Sequence, residues 1–340
     1  MTRQQVEQVQ SLLDTTQNIV IVGHKNPDGD AVGSCLGLGG FLTLLGHSVT
    51  VVMPNDFPDF LKWIPYSKNI LLHENNPLET EKVIAQASLI FTLDFNSLNR
   101  TGDLEPVLIQ ASADFIMIDH HQQPDDYAVV TYSDTSICST SQMVYHFIDA
   151  LGELNKINKN IATQLYTGIM TDTGSFKYPS TTATTHKVIA HLIEQGANNA
   201  QIHQNVYDNN TPDRIKLLGT ALNNLVILND FNTAYITLTQ KELDNHNFKK
   251  GYTEGIVNYA LSVKGVVFAA IFIENKQENI IKISLRSKGP FSVNRFAREH
   301  FNGGGHTNAA GGRNKGSLQE TVSKFITILP SYKKQLTQDA

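Results

Sequence analysis

The chain has 340 residues, 41% hydrophobic and 17% charged, with a formal net charge of -5; this suits two globular domains with separate cores. The acidic balance excludes a broad basic surface for non-specific binding of long duplex nucleic acid, so any such contact is expected to be local. The two cysteines, Cys35 and Cys138, lack paired spacing, which argues against a disulfide framework or a cysteine zinc site, fits a reducing cytoplasm and leaves both as buried, inert thiols.

Residues 1–16 are polar and place Val6, Val9, Leu12 and Leu13 on one helical face, unlike a signal peptide. No run approaches the roughly 18 apolar residues of a membrane span, so a soluble, cytoplasmic chain is expected. Strand-like runs at 18–22, 48–53, 88–93, 114–118 and 127–131 alternate with helical patterns at 31–45, 79–87, 104–111, 139–151 and 160–170. That alternation predicts an α/β fold with a mainly parallel sheet. Ser139 with Gln142 three residues later predicts a capping box. After Gly196 a polar, Asn-rich stretch reads as a linker carrying a helix at 214–225. Strands at 233–238, 266–273 and 280–285, a helix from Val293, a glycine-rich run at 303–312 and a helix at 318–328 then predict a smaller α+β domain. The expected boundaries are 1–196, 197–229 and 230–340, with no internal repeat.

Polar residues capable of chemistry follow the strands. His24, Asp28 and Asp30 lie in HKNPDGD, directly after the apolar run at 19–22 and before a helix. At the carboxyl end of a strand in an open sheet, one imidazole and two carboxylates within a turn make a metal cradle; the bland alternative is a surface turn with Asp30 as helix N-cap. Asp94 ends the run at 89–93, Asp119-His120-His121 ends that at 115–118, and Asp172 stands in TDTGSF at a helix end. Singly, each reads as a turn, cap or structural residue; together they supply imidazole and carboxylate without thiolate, a hard set suited to two Mn²⁺ or Mg²⁺ ions and to phosphate-ester hydrolysis. Gly303-Gly304-Gly305-His306 offers close backbone approach to an anion, against the reading of a flexible loop. Arg286 in SLRS and Arg100 in LDFNSLNR are candidate phosphate contacts, with a solvated surface arginine the alternative for Arg100. Trp63 reads as core packing, with base stacking as its alternative.

HKNPDGDAVGS, the aspartate of LDFN, IDHH, TDTGSF and GGGHTNAAGG, in that order, resemble the DHH phosphoesterase superfamily over nearly the whole chain. The resemblance implies a catalytic domain followed by a DHH-associated substrate-binding domain, with the active site in the cleft between them. Its nearest subgroup is the stand-alone nano-RNase and 3′-phosphoadenosine-5′-phosphate (pAp) phosphatase type. Residue by residue, it implies that His24 and Asp28 bind one ion, Asp30, His120 and Asp172 the other, and that Asp94 bridges both. His121 would face the scissile phosphate, Asp119 would orient a neighbouring histidine, and Arg286, Gly304, Gly305 and His306, with Arg100, would hold substrate. The implied cofactors are two divalent ions, manganese first and magnesium as alternative; the implied partners are short single-stranded oligonucleotides or small nucleotides, with homodimerisation a family expectation. Competing readings are a cyclic or linear dinucleotide phosphodiesterase and a nucleotide-binding protein without turnover. GGGHTNAAGG points away from a family II inorganic pyrophosphatase.

Overall fold

The computed structural model describes residues 1–338. The chain divides after Asn209 into two compact units. Of the segment 197–229, one helix belongs to the first unit and one helix and a strand to the second.

The first unit comprises α1 (Arg3–Leu13), β1 (Asn18–Val22), α2 (Gly29–Leu44), β2 (Ser48–Met53), β3 (Leu71–Leu72), α3 (Pro77–Ala85), β4 (Leu89–Leu93), α4 (Glu105–Ile109), β5 (Asp114–Asp119), β6 (Val130–Ser133), α5 (Thr140–Ala150), α6 (Lys159–Asp172), α7 (Ala183–Glu194) and α8 (Asn199–Tyr207). Its six strands pair in parallel in the order β3-β2-β1-β4-β5-β6. Successive side chains of β1 enter opposite cores: Ile19 and Ile21 pack on one face of the sheet, Val20 and Val22 on the other. Burial on both faces explains the continuous apolar runs of β4 and β5. The strand order reverses direction between β1 and β4, which opens a crevice at their carboxyl ends.

Three readings are corrected. The strand expected at 127–131 is β6, Val130–Ser133, and omits Tyr127, whose ring packs edge-on against Phe115 and whose hydroxyl pairs with Thr92, so its aromatic signal reports cover for the sheet. Ser139 caps α5 by accepting from the Gln142 N–H, but the Gln142 side chain meets Cys138 Sγ and His146 Nε2, and the cap lacks the return bond of a box. Helix α7 fills a stretch with no predicted element, although Thr182 and Thr185 form a full capping box at its start, and α8 lies within the stretch read as a linker.

The second unit comprises α9 (Pro212–Asn223), β7 (Val226–Leu228), β8 (Thr233–Leu238), α10 (Gln240–Asn245), α11 (Ile256–Ser262), β9 (Phe268–Asn275), β10 (Ile280–Ser287), α12 (Val293–His300), β11 (Gly304–Gly305), β12 (Ala309–Asn314), α13 (Leu318–Ile328) and α14 (Lys333–Thr337). Its mixed sheet runs β11-β12-β10-β9-β8-β7, with only β8 and β9 parallel. The glycine-rich run is the β11–β12 hairpin, not a flexible loop. Among the described residues no helix is long and apolar enough to cross a membrane.

Close approach of α2 and α6 sets the positions of their ends. A Cβ on Gly33 would meet Gln164 O at 2.6 Å and Gly168 N at 3.0 Å, both backbone atoms. Gly33→Ala is therefore expected to destabilise the protein by about 1–3 kcal/mol as an overpacked contact. Gly219→Ala in α9, where an added Cβ meets nothing within 4 Å, should instead stabilise by about 0.5–1 kcal/mol through helix propensity. Thermal unfolding of the two variants tests the opposite signs.

Candidate metal centre

β1 delivers His24, β4 delivers Asp94, and β5 runs through Asp119 to His120 and His121. Because β4 lies between β1 and β5, these strand ends are neighbours. Asp28 and Asp30 stand at the start of α2 and Asp172 at the end of α6. Asp28, not Asp30, caps α2, accepting from the N–H groups of Asp30 and Ala31; capping and membership of the cluster coexist in one side chain.

His24, Asp28 and Asp94 form one triplet, and Asp30, His120 and Asp172 another, with the candidate ligand atoms of each within 4.8 Å of one another. Asp94 stands between them: Oδ2 is 3.5 Å from His24 Nε2, and Oδ1 is 3.5 Å from His120 Nε2. His120 Nε2 also lies 3.8 Å from Asp30 and 3.6 Å from Asp172, and His24 Nε2 lies 3.9 Å from Asp28. These separations reach or exceed the limit of a hydrogen bond. Two ligands each about 2.1 Å from a hard divalent ion stand up to about 4.2 Å apart, so the donors fit such ions.

Local geometry prepares the ligands. Asp94 has a left-handed backbone (φ 66°), costly for a residue with a Cβ, and its N–H donates to Ile118 O on the adjacent strand. His24 Nδ1 is 2.9 Å from Lys25 O, and His120 Nδ1 is 3.2 Å from Ile137 O. A carbonyl only accepts, so in each neutral ring Nδ1 holds the proton and Nε2 presents its lone pair to the carboxylates. Asp119, fully buried, accepts from the backbone N–H of His121 and sits 2.7 Å from His121 Nδ1. It is therefore His121, of the two histidines, that Asp119 orients.

Electrostatics point the same way. Burial pushes the His24 imidazole down, but Asp28 and Asp94 outweigh it and hold the ring at about 10. His120 is likewise lowered by burial and raised further by Asp94, with a net shift well upward. Burial pushes Asp94 up, yet His120 and His24 hold it well below the usual carboxylate range. Asp30 is driven well up, first by burial and then by the charges of Asp94 and Asp172, and burial raises Asp172 to about 6. The site thus holds more buried carboxylate than two imidazoles neutralise, a deficit that divalent cations remove.

The other candidates fall outside these two triplets. Arg100 is exposed, and its backbone oxygen accepts from Lys25 N–H. Cys35 and Cys138 are buried, and burial raises both thiols, Cys138 to about 12, so neither is a nucleophile. Trp63 packs against the first core and donates to Phe60 O. In the second unit Arg286 ends β10 beside Ala309 of β12, while His306 and Ala309 close the hairpin through reciprocal backbone bonds. A Cβ on Gly305 would lie 2.5 Å from Ala309 O, so this glycine serves the hairpin's own backbone. Sequence reasoning missed Thr140 and Ser141, whose N–H groups bind Asp30; the Ser139-Thr140-Ser141 run at the cap and first turn of α5 is their only signal.

Fold and site together define a metal-dependent hydrolase of the two-ion kind. The chain matches the DHH family, N-terminal domain, over residues 18–169 and the DHHA1 domain over residues 232–332. It is 30% identical to the bifunctional oligoribonuclease and PAP phosphatase NrnA of Thermus thermophilus, over 94% of this chain and 90% of that protein. An exopolyphosphatase-related protein from Bacteroides fragilis superposes with a TM-score of 0.95 at 40% identity, covering 99% of this chain and 98% of that one. RecJ from Thermus thermophilus in complex with Mn²⁺ shares the fold at a TM-score of 0.56 and 13% identity, over 98% of this chain and 54% of that one. The chain belongs to the DHH family and is a metal-dependent phosphoesterase.

Metal loading should release protons. With His24 raised from 6.5 to about 10, its charged pairing stabilises the ion-free protein fully below pH 6.5, and this contribution is lost as pH rises through about 10. A divalent ion competes for the same carboxylates and for the Nε2 lone pair, so it expels that proton and binds more tightly as pH rises within this window. Calorimetric titration with Mn²⁺ at pH 7.5, in buffers of different protonation enthalpy, should show release of about one proton or more per protein. Zero net release would overturn the assignment of His24.

Proposed function

We propose that this protein hydrolyses the phosphate esters of very short single-stranded oligonucleotides and of pAp, using two manganese ions. The observation carrying the reading is the Asp94 carboxylate, whose two oxygens face different imidazoles. It is supported by likeness, along most of both chains, to a relative named for oligoribonuclease and PAP phosphatase activity. In this assignment His24, Asp28 and Asp94 hold one ion, and Asp30, His120, Asp172 and Asp94 the other. An imidazole and carboxylate set without thiolate favours manganese, with magnesium the alternative. Two ions held by these residues would supply an activated water and offset charge on the phosphoryl oxygens.

The chain's own groups do the rest. Asp119 holds His121 by Nδ1, and the ring so oriented would donate to a phosphoryl oxygen or move a proton at the leaving oxygen. Arg286, Gly304, Gly305 and His306 are assigned to substrate. For Arg286 the support is a buried Nε–H with no hydrogen-bond partner among the described residues, a group whose desolvation an anionic ligand would offset. The net charge of -5 favours small substrates held locally over long duplexes held by a broad field.

The test is a comparison of initial rates with Mn²⁺ on a 5′-phosphorylated RNA dinucleotide, a longer RNA, pAp, a cyclic dinucleotide and pyrophosphate. Fast turnover of the dinucleotide and pAp with little attack on the longer RNA is expected. Preference for the cyclic dinucleotide or pyrophosphate would leave the metal centre standing and remove the substrate assignment. His121→Ala should lower kcat by about 10²–10⁴-fold while Mn²⁺ still binds; near-normal kcat would rule out its role at the phosphate.

A further inference from the structure

Thr140 has no part in the roles assigned above, yet it is fully buried and touches two of the proposed ligands. Its backbone N–H donates to Asp30 Oδ2 at 2.6 Å, and its hydroxyl donates to Asp94 Oδ1 at 2.9 Å. Ser141 N–H donates to the other Asp30 oxygen at 2.8 Å. The start of α5, capped by Ser139, therefore carries the Asp30 carboxylate on two backbone N–H groups and reaches Asp94 with one side chain.

We infer that Thr140 is a positioning residue that fixes the rotation of the Asp94 carboxylate and so couples the two ion subsites; this rests on the two-ion reading above. The terminal torsion of an aspartate is broad and two-fold, so nothing intrinsic to Asp94 decides which way its oxygens point. A carboxylate only accepts, so the Thr140 hydroxyl proton must lie toward Oδ1. Held there, Oδ1 faces His120 and Oδ2 is left to face His24. Both Thr140 contacts fall on ligands of the His120 subsite, whereas the His24 and Asp28 pair is untouched. Loss of the hydroxyl should therefore act unequally on the two ions. The backbone bond to Asp30 survives any replacement except proline, which isolates the hydroxyl as the variable.

The experiment is Mn²⁺ binding to the full-length protein by calorimetry, with unbound Mn²⁺ followed by electron paramagnetic resonance, for wild type, Thr140→Val and Thr140→Ser. Wild type should bind two ions. Thr140→Val should bind the first ion as wild type does and the second about 10–100-fold more weakly, as when a group orienting a ligand is removed. Thr140→Ser, which keeps the hydroxyl, should restore the second ion. Wild-type affinity at both subsites in Thr140→Val, equal loss at both, or failure of Thr140→Ser to restore binding overturns the inference while leaving the two-ion reading intact. A wild-type stoichiometry of one ion removes both. Circular dichroism establishes folding beforehand, and should Thr140→Val not fold, Thr140→Ala against Thr140→Ser makes the same comparison.

Discussion

Repulsion among buried carboxylates is the constraint around which the first unit is arranged. Asp30 and Asp94 are almost wholly buried, and Asp172 lies close by; like charges in a medium of low dielectric are tolerated only where something offsets them. Two offsets are visible. Backbone N–H groups at the start of α5 converge on Asp30, where the partial positive charge of a helix N-terminus adds to their hydrogen bonds. Two imidazoles flank Asp94. The remaining deficit is what bound divalent ions remove, so the same crowding that would destabilise an ion-free core gives the centre its affinity for metal.

Bringing those groups together is a matter of backbone proximity. α2 begins with Asp28 and Asp30, and α6 ends with Asp172; the two can converge only because the helices touch backbone to backbone at Gly33 and Gly168. The parallel sheet contributes the other ligands from strand ends spaced by its own ladder. Rigid elements therefore set most of the ligand spacing, and flexible loops set little of it.

Much of this was legible from pattern. The parallel sheet followed from short apolar runs alternating with helical periodicity, and four of the five expected strands of the first unit lie where those runs lie. The metal-ligand candidates showed because strand ends place polar residues where an open sheet gathers them. Less legible was anything depending on contacts between segments far apart in sequence. Tyr127 looked like strand because aromatic residues favour both strands and sheet covers, and only its packing on Phe115 separates the two. For the glycines at 303–305 a flexible loop stood as the alternative to an anion-approaching backbone, because composition reports conformational freedom but not the hairpin that uses it. Thr140 and Ser141 fall inside the helix read at 139–151 and draw no reading of their own, because nothing local reveals Asp30, 110 and 111 positions away.

The Asp119-His120-His121 triplet shows how adjacent residues take different tasks. Asp119 is the last residue of β5 and fully buried, and its two oxygens are engaged by the backbone and ring of His121. It is thereby disfavoured as an ion ligand even though it lies within reach of one cluster. His120 turns its Nδ1 to Ile137 O and its Nε2 to three carboxylates, an arrangement suited to coordination and poorly suited to proton transfer. His121 has Nδ1 fixed by a carboxylate that is itself held by the backbone, which suits a ring oriented toward a substrate whose charge and protonation change during reaction. Exchanging the two histidines' tasks would require Asp119 to reach the other ring. Its bond to the His121 backbone N–H keeps it from doing so.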